Sequence, residues 1–431
     1  MVLFRRTWCI TLIGFLCFFL APANADPGAP HDPIKLDPTE LESLDSKLRS
    51  VVETKQGANL SYGVWQNGKL IREGYFGPVS EQNTRTVSGD TIQQVYSFSK
   101  VVTAVGLLTL YEKGAFRLDD PITKVLPEFA ETEVLADVDE EGNLYTYLPP
   151  RPPTMRQLLS HTAGFGSARD GYKTIDRLFH EMDIDRAKDA ETLVSMAASL
   201  PYASAPGAEW NYSIASELQG AVIERLSGQS LHDYLKQAVF DPLDMEDTGF
   251  FVEAENQSRL SGVTTRTERG GWKYEPPEDS SEAAQSETYF EGGWGLYSTQ
   301  RDFARFLSAL LDDRGSILRA DTLAELRTNA VRFRGEPAGV FPSGHRAGLG
   351  FGFGLGTIED PEIAEMAAPS GTLYWKSALG GWFWVDPKND IIFIGMLQSL
   401  SPTDTDLMRI SMNQIYGVED DWLIKASLDF R

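Results

Sequence analysis

Residues 101–111, Val-Val-Thr-Ala-Val-Gly-Leu-Leu-Thr-Leu-Tyr, constrain this chain more than any other stretch. The run carries no charge and is apolar on every face at helical spacing. A helix of that kind has to be buried on all sides. Gly114 suits a C-cap, so the spacing predicts a helix opened by Ser97 and closed near 114. Ser97 and Lys100, in Tyr-Ser-Phe-Ser-Lys, stand at its mouth. Residues three apart share a helix face, which places a hydroxyl beside an amine.

The rest of the chain supplies what must surround that helix. Residues 61–77 read as two strands turned at Asn67-Gly68, a strong hairpin signal. Helical periodicity runs through 154–162, 190–200, 215–228 and 230–240. Between these segments, 134–153 and 265–287 read as long irregular loops. From Gly292 onward the pattern is mixed. A helix with Ser298 or Thr299 as cap comes first, then strands over 348–359, 380–387 and 391–398, then a last helix ending near Gly417. Strands at both ends with helices between them predict an α+β fold. Its antiparallel sheet is built from both chain ends and flanked by helices, with an inserted, mainly helical lobe. The expected division is 26–125 with 285–431 for the α/β lobe and 126–284 for the helical lobe and loops. A cleft between lobes is the natural place for a site.

Residues 1–25 read as a cleaved secretory signal: Arg5 and Arg6, an apolar core from Cys9 to Leu20, then Ala23 and Ala25. The expectation is export, to the periplasm or the medium, with no stable membrane insertion of the mature chain. Both cysteines, Cys9 and Cys17, fall inside that signal, so disulfide and cysteine–metal chemistry are not expected of the mature chain. The net charge of −23 opposes a nucleic-acid role. At 42% hydrophobic residues the chain reads as globular. Oligomeric state is not readable from these features.

A serine hydroxyl is a weak nucleophile until a base takes its proton. A lysine amine can serve once desolvation or a neighbouring cation favours its neutral form. Ser-x-x-Lys alone is a two-letter match, and a capping serine with a solvated lysine explains it equally well. The wider text is more specific. The chain resembles the serine β-lactamase and penicillin-binding-protein superfamily, in the branch with family VIII carboxylesterases and class C β-lactamases. The resemblance rests on Ser-Phe-Ser-Lys at 97–100 followed in order by 114–129, 154–165, 206–228, 242–250, 292–307 and 383–397. It implies that Ser97 is the acylated nucleophile, Lys100 its proton-accepting partner and Tyr212 the proton shuttle to the leaving group. An isolated phenol titrates near ~10 and is a poor base, so this role requires Tyr212 beside Lys100.

The third motif of the superfamily, usually Lys-Thr-Gly, is replaced by Tyr374-Trp375-Lys376-Ser377-Ala378-Leu379-Gly380-Gly381. Two registers are open. One puts Trp375 at the lysine position, as in the Trp-Gly-Gly of family VIII esterases; the other puts Lys376-Ser377-Ala378 there. A one-residue slip on a strand exchanges the side chains that face the cleft. Lys376 there would bind a substrate carboxylate; Trp375 would offer an apolar wall. The glycine spacing favours Trp375, with Ala378 and Ser97 supplying the oxyanion amides, and with Lys376 and Ser377 as neighbouring substrate-binding candidates. Ile214 stands where penicillin-recognising relatives usually have an Asn that bonds the substrate amide.

Together these expectations describe a serine carboxylesterase acting on a small-molecule ester, with room for weak β-lactam turnover and no cofactor or metal. The alternatives are a β-lactamase or D-amino-acid-specific peptidase using the same site, and a non-catalytic binding member of the superfamily. His161 is expected to be structural, and no Gly-x-Ser-x-Gly elbow is present. Residues 348–356 lack the spacing of a nucleotide loop. His345 and Trp294 fall in segments that could border the cleft and receive no role from sequence.

Overall fold

In the computed structural model α1 (Pro38–Glu53) is started by Asp37, whose carboxylate accepts from Thr39 N at 2.8 Å ahead of the N-terminal proline. The residues described are 33–167, 173–184, 187–267, 271–275, 289–312, 314–333, 347–401 and 406–418, within the unit Pro33–Arg431. The expected signal segment and His345 lie outside them.

β1 (Leu60–Gln66) and β2 (Lys69–Phe76) form the expected hairpin, with Asn67 at φ +52° and Gly68 at φ +69°, as a tight turn of this hand requires. From the C-terminal third come β9 (Val331–Arg332), β10 (Leu349–Phe351), β11 (Gly356–Ile358), β12 (Leu373–Lys376), β13 (Trp382–Asp386) and β14 (Ile391–Met396). The eight strands make one antiparallel sheet in the order β2-β1-β14-β13-β12-β11-β10-β9. Sequence-distant ends thus meet where β1 pairs with β14, Ser61 opposite Met396.

Strand parity divides the core. Trp375, Phe383, Val385, Ile392 and Ile394 join one apolar cluster; Tyr374, Trp382, Trp384, Ile391 and Phe393 join another on the opposite face. The second cluster is covered by α1 and the last described helix, residues 407–415. The first contains the apolar run at residues 101–111. It folds as α2 (Ser99–Glu112), buried at every residue from Ser99 to Leu110. Each fully buried Val or Leu there contributes about 1.5–3 kcal/mol relative to exposure. Gly114, at φ +76°, follows the helix end.

The helices around α2 are α3 (Met155–Leu159), α4 (Lys173–Met182), α5 (Ala190–Ala198), α6 (Ala215–Ser227) and α7 (Leu231–Leu235), the last continuing as a π-helical turn to Phe240. α3 begins with a capping box between Thr154 and Gln157, and α6 ends at Gly228 in the left-handed conformation. α8 (Gln300–Ala309) is capped by Thr299 and packs on β14; α9 (Ala320–Arg327), α10 (Pro361–Ala364) and α11 (Leu407–Ile415) follow.

Three local expectations change. Residues 134–153, read as an irregular loop, contain the hairpin β4 (Val134–Val138) and β5 (Leu144–Tyr147). The next loop contains β6 (Val263–Arg266) paired with β7 (Trp272–Glu275). The glycine alternation at 348–356 is not one strand but β10, a turn and β11, because Gly354 at φ +77° reverses the chain against α2. One short pair remains, β3 (Gln93–Gln94) with β8 (Tyr297–Ser298), which leads into the site.

Candidate active site

The chain enters α2 through a 3₁₀ turn, Tyr96–Phe98, so Ser97 precedes the α-helix instead of capping it. Tyr96 holds φ +44°, a left-handed conformation that costs a non-glycine residue about 1–3 kcal/mol. Neighbours pin this turn from both sides. Val95 N donates to Leu296 O at 2.9 Å, Ser377 Oγ donates to Val95 O at 3.1 Å, and Gln398 Nε2 donates to Gln94 O at 3.1 Å.

Tyr212 lies in the extended stretch before α6, where Asn211 N donates to His161 O and Ile214 N donates to Gly166 O. Its phenol donates to Ser97 Oγ at 2.8 Å. Lys100, buried in the first turn of α2, sits with Nζ 4.8 Å from the centre of the Tyr212 ring and donates to Gly293 O at 2.8 Å. Cation and phenol are therefore neighbours, and the phenol touches the hydroxyl.

Aromatic rings fix the phenol in place. His161, Trp210 and Trp375 stand 5.7, 5.9 and 5.6 Å from Tyr212 between ring centres. Packing of this kind restricts the ring to one rotamer, which catalysis needs more than affinity does. His161 is part of that wall. Its Nδ1 accepts from Ser213 N at 3.3 Å, which leaves the proton on Nε2, 3.2 Å from Ser216 Oγ. Burial first, and the Lys100 charge second, lower the imidazole from its usual 6.5 to about 3. A ring that stays neutral and fully bonded agrees with the structural role read from sequence.

The third motif resolves by parity. Trp375 lies on the α2 side of β12, packed on Tyr212 and Phe351 and almost wholly buried. It backs the phenol instead of lining the cleft, where a wall had been expected. Lys376 pairs across the strands with Trp382, a member of the opposite cluster, and its Nζ lies 3.2 Å from Asp406 Oδ1 at the start of α11. Lys376 is thus corrected from a substrate-binding candidate to a partner of Asp406. Ser377 is corrected too: its hydroxyl is spent on Val95 O, tying the end of β12 to the turn that carries Ser97. That tie places Ala378 in the cleft beside Ser97. Ala378 and Ser97 thus line the same cleft.

The cleft itself is narrow, about 70 Å³, and mostly apolar. Ile214 forms part of its wall, as expected, along with Ile184 and Leu193. Sequence reasoning missed Glu217 and Tyr289, which join the wall from α6 and from the segment before β8; Trp294, placed by sequence in a segment that could border the cleft, lies in the wall too. It also missed Gly293 as the anchor of Lys100. The Gly292-Gly293 pair was the available signal: a Cβ at Gly293 would stand 2.1 Å from Glu217 Oε1. Among the described residues no cluster of three or more metal-ligating side chains is present.

A hydroxyl touching a phenol, a buried amine under that phenol and two amides beside the hydroxyl compose a site suited to acyl transfer through a serine. Comparison with known proteins agrees. Esterase EstB of Burkholderia gladioli is 29% identical over 383 residues, 85% of this chain and 92% of that protein. Acyltransferase calJ of Penicillium decumbens is 29% identical over 322 residues, 69% of this chain and 73% of that protein. The structure of EstCE1, a hydrolase with promiscuous acyltransferase activity, superposes with a TM-score of 0.73 at 22% identity, covering 88% of this chain and 99% of that one; at that identity it speaks for the fold. The Beta-lactamase family profile matches residues 44–415, and the chain belongs to that family, as an esterase-like hydrolase of the β-lactamase and penicillin-binding-protein fold.

Proposed function

We propose that the protein is an exported serine carboxylesterase of the family VIII type, working through an acyl-enzyme on Ser97. The observation that carries this reading is the 2.8 Å contact between Tyr212 and Ser97 Oγ, with Lys100 held beneath the same ring. Export rests on the sequence of residues 1–25 alone.

In the proposed cycle, the Ser97 proton passes to the Lys100–Tyr212 pair as Oγ attacks the ester carbonyl. The oxyanion that forms is held by the Ser97 and Ala378 amides. On collapse, the bond from the carbonyl carbon to the alcohol oxygen breaks, and Tyr212 returns the proton to the departing alkoxide. Water repeats the sequence on the acyl-enzyme and releases the acid. Interception by an alcohol would make the same intermediate an acyl donor, a reading favoured by the similarity to acyltransferase calJ.

Two features support esters over β-lactams. Ile214 in the cleft wall offers no hydrogen bond to a substrate amide, and Lys376, paired with Asp406, offers no cation to a substrate carboxylate. Hydrolysis of p-nitrophenyl esters and of a chromogenic cephalosporin, measured side by side with Ser97→Ala as control, tests the reading. Ester turnover should dominate and vanish in the variant. Dominant cephalosporin turnover would reject it. Failure of a fluorophosphonate to label well-folded protein would support a non-catalytic member.

A further inference from the structure

Sequence gave Trp294 no role, and the geometry points to one: we infer that Trp294 sets the length of the acyl group that the enzyme accepts. The inference rests on the esterase reading and concerns the far wall of the same cleft.

Trp294 is the only side chain in the run Gly292-Gly293-Trp294-Gly295. Packing allows no other. A Cβ at Gly292 would lie 2.5 Å from Ser216 O, at Gly293 2.1 Å from Glu217 Oε1, and at Gly295 2.9 Å from Phe250 Cδ1 and 3.0 Å from Glu291 O. The backbone of this turn is therefore seated directly on α6 and its surroundings. It is also stitched to α2: Thr103 Oγ1 donates to Gly292 O at 2.7 Å, Lys100 Nζ to Gly293 O at 2.8 Å, and Leu296 N to Ser99 Oγ at 3.2 Å.

A turn held this way on both sides cannot retreat to make room for substrate. Its single side chain is an indole, and that indole lines the cleft that also holds Ser97. Tyr289, Ile184 and Leu193, each almost wholly buried, line the same cleft. In an acyl-enzyme cycle the alcohol must leave and water must enter, so they use the open side. The acyl group stays on Ser97 until water arrives, and it occupies the walled end. A fixed indole there bars long chains, because a close-packed wall gives way only at the cost of moving its neighbours.

The test compares kcat/KM for p-nitrophenyl butyrate and octanoate in wild type, Trp294→Ala and Trp294→Phe, with a parallel series of butyrate esters of lengthening alcohols. Wild type should prefer butyrate. Trp294→Ala should raise the octanoate-to-butyrate ratio by at least about tenfold, since one methylene in an apolar pocket already changes selectivity by about that factor. The change should fall mainly in KM, and Trp294→Phe should shift the ratio the same way by less. Thermal melts check folding; if Trp294→Ala does not fold, the sign of the Phe shift decides. Ser97-dependent ester turnover with an unshifted ratio would overturn this inference alone. A shift in the alcohol series without one in the acyl series would overturn it as well. Absence of Ser97-dependent ester turnover in wild type would remove the esterase reading and this inference together.

Discussion

The two faces of β12, β13 and β14 are built from alternate residues of the same strands, yet they serve different ends. Trp375, Phe383 and Ile394 face α2, where Trp375 backs the phenol of Tyr212. Tyr374, Trp382 and Phe393 face α1 and α11. There the polar groups are paired off among themselves. Ser411 Oγ accepts from Trp382 Nε1 at 3.2 Å and Trp384 Nε1 at 3.0 Å, and Lys376 meets Asp406. One face backs the residues of the cleft; on the other, Trp382, Trp384 and Lys376 find their partners within the protein. Neighbouring residues in sequence thus have opposite roles, and a slip of one residue would exchange them.

The largest effects should come from the reactive face. Ser97→Ala should cut kcat/KM for p-nitrophenyl butyrate by more than about a thousandfold, and Tyr212→Phe by roughly a hundred- to ten-thousandfold. Steady-state kinetics on folded variants check both. Next comes the contrast between neighbours. Trp375→Ala should destabilise the protein by about 3–5 kcal/mol and lower kcat, because it opens a cavity behind Tyr212. Lys376→Ala removes a part-exposed ion pair, so chemical denaturation should show a change below about 1 kcal/mol and ester turnover should persist. Loss of turnover in Lys376→Ala alone would break the parity assignment.

On the opposite face the expected effect is purely structural. Ser411→Ala strands two buried indole N–H groups, at about 1–3 kcal/mol each, so the melting temperature should fall while kcat per folded molecule holds. The last prediction concerns His161. Its folded pKa is about 3 against an ordinary 6.5, so between those values the unfolded chain binds the extra proton. Stability therefore declines as pH falls from 6.5 toward 3, by at most about 1.4 kcal/mol per pH unit from this group. Denaturation of His161→Gln across that range should show a flatter acid limb than wild type.

The sequence made some of this legible and hid the rest for physical reasons. α2 was visible because a run apolar on all faces has one stable destination. The β1–β2 turn was visible because Asn-Gly accepts positive φ at both positions. Ser97, Lys100 and Tyr212 were named from the resemblance, and the structure brings these three together. Strand parity at Trp375 and Lys376 was hidden, since both registers fit the local text and only pairing with β13 fixes which faces α2. The β10–β11 reversal was hidden because glycine alternation does not reveal where the chain turns. Glu217 and Tyr289 belong to the cleft through long-range packing, which leaves no spacing to read.

Mass spectrometry of protein quenched during turnover of p-nitrophenyl butyrate tests the central claim most directly. The account predicts a single butyryl adduct on the peptide that carries Ser97, absent from Ser97→Ala, which no longer turns over the ester. Undiminished hydrolysis by Ser97→Ala, or an adduct on any other residue, would contradict it.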